Sequence, residues 1–186
     1  PGTDAELFAN MRLLFGYQWL FPGKQLLFMG GEIGQRTEWN EDGEVAWELL
    51  EENELHVGLQ QWVAALNHLY RDEPALWAGD YSEGGFYWID NADHAAGVAS
   101  FVRQTPDCSR QALVLLNLGN ASHAGYRIGL PRAGWWREVL NSDSEHYGGA
   151  NLGNNGGVDS QETPWHSQPW SAEFNLPPLS CLVFLC

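Results

Sequence analysis

The sequence is poor in basic residues and in long apolar runs, and each scarcity excludes a class of partner. Lys and Arg number 9 among 186 residues, against 24 Asp and Glu, so the formal net charge is −15. Duplex nucleic acid and anionic membrane surfaces are bound through patches of Lys and Arg, and neither is an expected partner. No apolar run approaches the roughly 20 residues that cross a bilayer. The opening residues also lack the basic and apolar regions of a secretory signal.

Cysteine is scarce too, and its positions suit neither a disulfide framework nor a metal site. Cys108, Cys181 and Cys186 are an odd number without the spacing of metal ligands. The six histidines include no HxH or HxxxH pair, so no metal site is expected. Reduced thiols in a cytoplasmic protein are the simplest interpretation.

Aromatic residues are abundant, with ten Trp in the chain. A Trp side chain can fill a core, or its flat face can cover the C–H surface of a sugar ring. We expect most of the ten to lie in a core and one or two to face a ligand. A hydrophobic content of 44% is enough for one or two small domains.

The first 71 residues show helical periodicity around one apolar stretch. "TDAELFANMRLLFGYQWLF" opens with a capping box of Thr3 and Glu6, which predicts a helix that ends at Pro22. "QLLFM" (25–29) has no polar alternation and predicts a parallel strand buried on both faces. A second helix is predicted over 55–71. Because helix, turn and buried strand occur once only, we interpret this segment as the end of a larger α/β barrel.

After residue 75 the apolar period changes to two. Short aromatic or β-branched runs are separated by Gly, Asn, Asp and Pro turns: "GFYWID", "AGVASFVRQ", "ALVLLNL", "YRIGL", "WWREVLN" and "LSCLVFL". Six such runs at close spacing predict an antiparallel sandwich. The fold class expected from the whole chain is therefore α+β: two helices and one barrel strand, followed by an all-β antiparallel sandwich.

Three stretches carry residues suited to chemistry or binding. Glu32 follows the predicted strand, where α/β folds build active sites, although it could equally tie down a loop. "RTEWN" (36–40) combines charged, aromatic and amide groups that suit sugar hydroxyls and ring faces, or a loop that packs Trp39 inward. "NSDSEHYGGANLGNNGG" (141–157) is rich in glycine but precedes no helix that would cradle a phosphate, so a long ordered loop is expected. No GxSxG elbow supports a Ser-His-Asp triad.

Four stretches together resemble the C-terminal portion of bacterial 1,4-α-glucan branching enzymes of the α-amylase superfamily. They are "FANMRLLFGYQWLFPGKQLLFMGGEIGQRTEWN", "LNHLYRDEPAL", "WREVLNSDSEHYGGANLGN" and "LPPLSCLVFL", in the family's order over nearly the whole chain. The resemblance implies that residues 1–74 end a catalytic α/β barrel and that 75–186 form the C-terminal β-sandwich. It also implies that the three catalytic carboxylates lie upstream of this chain.

Within the family's "GNEFGQ"-like motif, Glu32 matches a groove or supporting glutamate, while Gly31 and Ile33 depart from the commoner residues. The resemblance assigns glucan binding to Glu32, Arg36, Trp39 and Asn40 and implies no cofactor. The expected partners are an α-glucan such as glycogen or amylose and the remainder of the barrel. Two alternatives stay open: a related debranching or trehalose-releasing hydrolase, and a glucan-binding or structural accessory module.

Overall fold

The computed structural model describes residues 2–186, which form three helices followed by eight strands. The helices are α1 (Asp4–Leu20), α2 (Leu49–Glu52) and α3 (Glu54–Asp72). The strands are β1 (Phe86–Asp93), β2 (Val98–Gln104), β3 (Gln111–Asn117), β4 (His123–Leu130), β5 (Trp135–Asn141), β6 (Gly157–Asp159), β7 (Trp170–Leu176) and β8 (Ser180–Leu185). None of the helices in 2–186 is long and apolar enough to cross a membrane.

Both predicted helices are present, and side-chain caps define their beginnings. The Thr3 hydroxyl accepts a hydrogen bond from the Glu6 amide, and the Glu6 carboxylate accepts one from the Thr3 amide. In α3, Asn53 caps the first turn by accepting from the Leu55 amide at 2.9 Å. These caps satisfy amides that have no partner within the helix.

The strands form two antiparallel sheets, which confirms the predicted antiparallel β domain with accompanying helices. The larger sheet has the order β1-β2-β3-β8-β5-β6, and β4 pairs with β7 in a second sheet. All six predicted runs are strands. The sequence did not predict β6 or β7.

The molecule has three layers, with the six-stranded sheet in the middle. One face of this sheet packs against α1 and α3 through a cluster that includes Trp62, Phe101 and Val183. Its other face packs against the β4-β7 sheet through a second cluster that includes Leu113 and Phe174. Every residue of β3 is therefore buried. The division of the chain into residues 1–74 and 75–186 stays a prediction. Residue 1 lies outside the range that the structure describes.

A buried ion pair joins the helices to the sheet. Arg103 of β2 pairs with Asp80, and only 1% and 6% of these side chains are exposed. The Arg103 guanidinium also donates to the carbonyls of Leu20 (2.8 Å) and Leu76 (2.6 Å). Burial lowers the pKa of Arg103, whereas the Asp80 carboxylate acts in the opposite direction.

The segment 25–29 is not the buried strand that its composition predicts. None of its residues is assigned to a strand, and Leu26, Phe28 and Met29 are 81%, 68% and 56% exposed. A strand is stabilised by hydrogen bonds to a neighbouring strand, and this segment pairs with none of the eight strands in the described chain. An apolar pattern alone therefore predicted a pairing that these residues do not make.

Candidate functional site

Glu32 lies in a one-turn 3-10 helix, Gly31–Ile33, which is attached to α3. The glycines on both sides, Gly30 and Gly34, have φ angles of 83° and 68°, a region that favours glycine. The buried His56 ring of α3 contacts the Ile33 carbonyl through Nδ1, and this contact fixes the turn against the helix. Glu32 itself is half-buried.

The loop that follows is shaped by Gln35, a residue that the sequence analysis did not single out. The Gln35 side-chain carbonyl accepts from the Ala46 amide at 3.0 Å, and its amide donates to the Thr37 carbonyl at 3.3 Å. The side chain thereby holds the two ends of the 37–46 segment together. Its position within "GEIGQ" was the available signal, but its partner Ala46 lies in a stretch without a distinguishing pattern.

Trp39 lines two adjacent grooves on this loop. The larger has a volume of about 520 Å³ and also contains Asn40, and the smaller has a volume of about 270 Å³ and also contains Arg36. The Trp39 side chain is 48% exposed and packs edge-on against Phe28, with 6.3 Å between the ring centroids. One aromatic ring thus borders both grooves.

Arg36, Trp39 and Asn40 are brought together in this way, whereas Glu32 lines neither groove. Arg36 forms an ion pair with Asp4 at 2.8 Å, in which more than half of each side chain is exposed. Asn40 stabilises a turn by accepting from the Asp42 amide at 3.1 Å. Exposed amide, guanidinium and carboxylate groups beside a Trp face can hydrogen-bond sugar hydroxyls while the ring covers the sugar's apolar side.

The 141–157 loop is ordered by its own hydrogen bonds. The Asp143 carboxylate accepts from the amides of Ala150 (3.0 Å) and Leu152 (3.1 Å). Asn141 accepts from the Asp143 amide at 2.9 Å and donates to the Leu152 carbonyl at 2.8 Å. The prediction of a long ordered loop is confirmed.

Helices α1 and α3 both contact this loop and hold it in place. The buried Arg12 of α1 donates from Nε to the Ser142 carbonyl at 2.7 Å, and burial lowers the pKa of Arg12 while the Asp143 carboxylate opposes this shift. The Tyr147 ring packs edge-on against Trp62 of α3, with centroids 5.0 Å apart. A groove of about 360 Å³ lies between the loop and β5.

Within residues 2–186, no group of three or more His, Cys, Asp or Glu side chains could hold a metal ion.

Both the sequence and the fold have similar counterparts among known proteins. Residues 88–186 match the family model described as the alpha amylase, C-terminal all-beta domain. The chain is 47% identical over 183 residues to the 1,4-alpha-glucan branching enzyme GlgB of Synechococcus elongatus, 50% over 182 residues to that of Mycobacterium tuberculosis, and 46% over 185 residues to that of Aromatoleum aromaticum. The matches cover 98%, 98% and 100% of this chain but 24%, 25% and 29% of those proteins. The chain thus spans about a quarter of the length of these relatives.

Solved structures show the same fold at low sequence identity. The GBS pullulanase SAP in complex with maltotetraose superposes with a TM-score of 0.65 and 11% identity, over 98% of this chain and 28% of that one. The A258V mutant of the trehalulose synthase MutB superposes with a TM-score of 0.59 and 15% identity, over 96% and 38%. At these identities the likeness shows the fold alone.

Proposed function

Because the chain belongs to the family of α-amylase C-terminal all-β domains, we propose that it serves as the C-terminal region of a 1,4-α-glucan branching enzyme. The whole enzyme cleaves an α-1,4 linkage and transfers the released chain to a 6-hydroxyl, which forms an α-1,6 branch. The observation that carries this proposal is the 46–50% identity to branching enzymes over at least 98% of the chain. The likeness to a pullulanase and a trehalulose synthase extends to the fold only, so it does not favour a hydrolase.

The loop around Trp39 is the proposed glucan contact of the N-terminal half. A pyranose ring stacks on the exposed Trp39 face, and its hydroxyls reach Arg36 and Asn40 in the two grooves. Glu32 supports the same surface from its turn on α3. The exposed aromatics also suit the second candidate, a glucan-binding accessory module without its own chemistry.

Two further assignments stay part of the proposal. Residues 1–74 end the catalytic barrel, and 75–186 are the separate C-terminal domain. The cytoplasm is the proposed compartment, in agreement with three free thiols, of which Cys181 is buried.

The isolated 186-residue chain should not branch glucan. Retaining transfer needs one carboxylate as nucleophile and a second as acid, roughly 5 Å apart. The proposal places these carboxylates outside the chain, so Glu32 lacks both a partner and a closed pocket. After incubation with amylose and enzymatic debranching, the product chain lengths should equal those of untreated amylose. New α-1,6 linkages that disappear in Glu32→Gln would show that the active centre lies in this chain.

Binding separates the two candidate functions. Titration with maltoheptaose, followed by Trp fluorescence, should show weak binding that Trp39→Ala weakens further. Trp135→Ala is the matched control, because Trp135 is equally exposed at 48% and lines neither of the two Trp39 grooves. Tight binding by the isolated chain would favour the accessory module, and an unchanged affinity in Trp39→Ala would contradict the proposed contact.

A further inference from the structure

The groove between β5 and the 141–157 loop has the chemistry of a site for a neutral, hydroxyl-rich ligand. Six of its ten lining residues carry polar side chains, namely Glu138, Asn141, Ser144, Tyr147, Asn151 and Asn155. None of the ten is Lys, Arg or His, so an anion finds no counter-charge there. One carboxylate among amides and hydroxyls offers both donors and acceptors. The groove has a volume of about 360 Å³, which lies within the range of small-molecule sites.

Three of these side chains carry a polar group that makes no hydrogen bond within the fold. In the described chain, the Tyr147 hydroxyl and the side-chain amides of Asn151 and Asn155 make no hydrogen bond to other protein groups, whereas the Asn141 side chain makes two within the loop. Asn151 and Asn155 also have positive φ angles, 63° and 52°, a region that glycine adopts most easily and that Asn tolerates better than most other residues. The loop therefore presents amides at positions where glycine would be easier to accommodate.

The backbone around these groups is fixed before any ligand arrives. Asp143 and Arg12 hold the loop as described above, and Gly149 permits its closure, because a Cβ there would lie 2.2 Å from the Asp143 carbonyl oxygen. The Asn154 amide group donates to Glu138 Oε2 at 2.7 Å, which orients that carboxylate. A loop with a fixed backbone loses little backbone conformational entropy when it binds a ligand.

From this geometry we propose that the 138–156 groove binds a short stretch of α-glucan, as a second contact distinct from the Trp39 loop. The α-glucan class rests on the proposed function, whereas the neutral, polyhydroxylated nature of the ligand rests on the groove itself. Glu138, Asn151 and Asn155 hydrogen-bond sugar hydroxyls, together with the Tyr147 hydroxyl. The site holds the acceptor or product chain on the β domain and takes no part in bond cleavage.

The test is a titration of the ¹⁵N-labelled 186-residue chain with maltoheptaose, observed through its amide signals. Resonances of residues 144–156 should shift together, with one dissociation constant. Tyr147→Phe removes only the hydroxyl and should weaken this binding about tenfold, the effect of one lost hydrogen bond. Asn151→Gly and Asn155→Gly remove the amides but suit the positive φ, so they should weaken binding without lowering the unfolding midpoint.

Asn120→Gly, in an exposed turn elsewhere, is the control and should leave binding unchanged. Shifts confined to residues 28–48, an unchanged affinity in all three groove variants, or no binding would overturn the proposal. Equal binding of β-linked cellohexaose would overturn the α-glucan assignment. A full-length protein that debranches glucan would refute the proposed function, yet it would leave the shifts at 144–156 intact, so the two failures are distinguishable.

Discussion

Asp80 neutralises a guanidinium that the fold has removed from water, and its loss is the sharpest test at the scale of single residues. In Asp80→Asn the Arg103 charge stays buried among the carbonyls of Leu20 and Leu76 without a counter-ion. Breaking a buried pair by removing one partner costs about 3–5 kcal/mol. The free energy of unfolding, measured in urea, should fall by that amount with an unchanged m-value.

Asp72→Asn provides the matched control. Asp72 pairs with Arg71, and more than 60% of each side chain is exposed. Exposed pairs contribute about 0–1 kcal/mol, so this variant should differ little from the wild type. Equal effects of the two substitutions would contradict a special role for the buried pair.

The candidate residues were predictable where neighbours in sequence are neighbours in space. Arg36, Trp39 and Asn40 fall within five residues, and one loop carries all three. Gln35 was not identified, because its function depends on Ala46, across the loop. The 138–156 groove was not identified either, because the sequence indicated the 141–157 loop but not that this loop folds back over β5. Hydrogen bonds from a side chain to the backbone across a loop, such as those of Gln35 and Asp143, leave no periodic pattern in a sequence.

Among the elements, α3 and the 141–157 loop approach each other so closely that only glycine fits at position 58. A Cβ there would lie 2.5 Å from the Tyr147 carbonyl oxygen. At an unobstructed helix site Gly→Ala stabilises by about 1 kcal/mol. Here we expect Gly58→Ala to destabilise by about 1–3 kcal/mol, because the backbone must move apart.

Thermal or urea unfolding measures this effect, and Ala64→Gly, at an exposed site of α3, gives the scale of helix propensity in the same element. A higher free energy of unfolding for Gly58→Ala would contradict this, because it would show that the loop can move away from α3 without destabilising the protein. Amide exchange at residues 144–149 should also increase in this variant, since the displaced loop loses packing.

Strands were predicted correctly where an apolar run pairs with a neighbouring strand. The runs that became β1, β2, β3, β4, β5 and β8 all pair with neighbours. Residues 25–29 have the composition of a buried strand, but no neighbouring strand pairs with them. Composition alone does not distinguish an apolar run that has a pairing partner from one that has none. Strand β7 was overlooked although Ser171, Glu173 and Asn175 alternate with apolar residues, which is the period of a half-buried strand. With three residues, β6 is too short to show a period.

For the molecule as a whole, the exposed apolar segment 26–29 should govern its behaviour in solution. Exposed apolar patches promote association. Replacing Leu26, Phe28 and Met29 together by Ser should reduce self-association in sedimentation velocity, while the free energy of unfolding changes by no more than about 0.5 kcal/mol.

Leu118→Ser, at a site 56% exposed on the β domain, should leave the association unchanged. A wild-type chain that sediments as one monomeric species, with uniformly high amide protection from residue 7 to 185, would contradict this expectation.

The position of β8 has a consequence for biosynthesis. This strand lies between β3 and β5, although four other strands separate it from β3 along the chain. A nascent polypeptide that has not yet reached residue 180 therefore exposes the unpaired edge of β3 and cannot complete the central sheet. Such unpaired edges are the surfaces that chaperones shield on the ribosome, and premature termination before β8 would leave β3 and β5 without the strand that joins them.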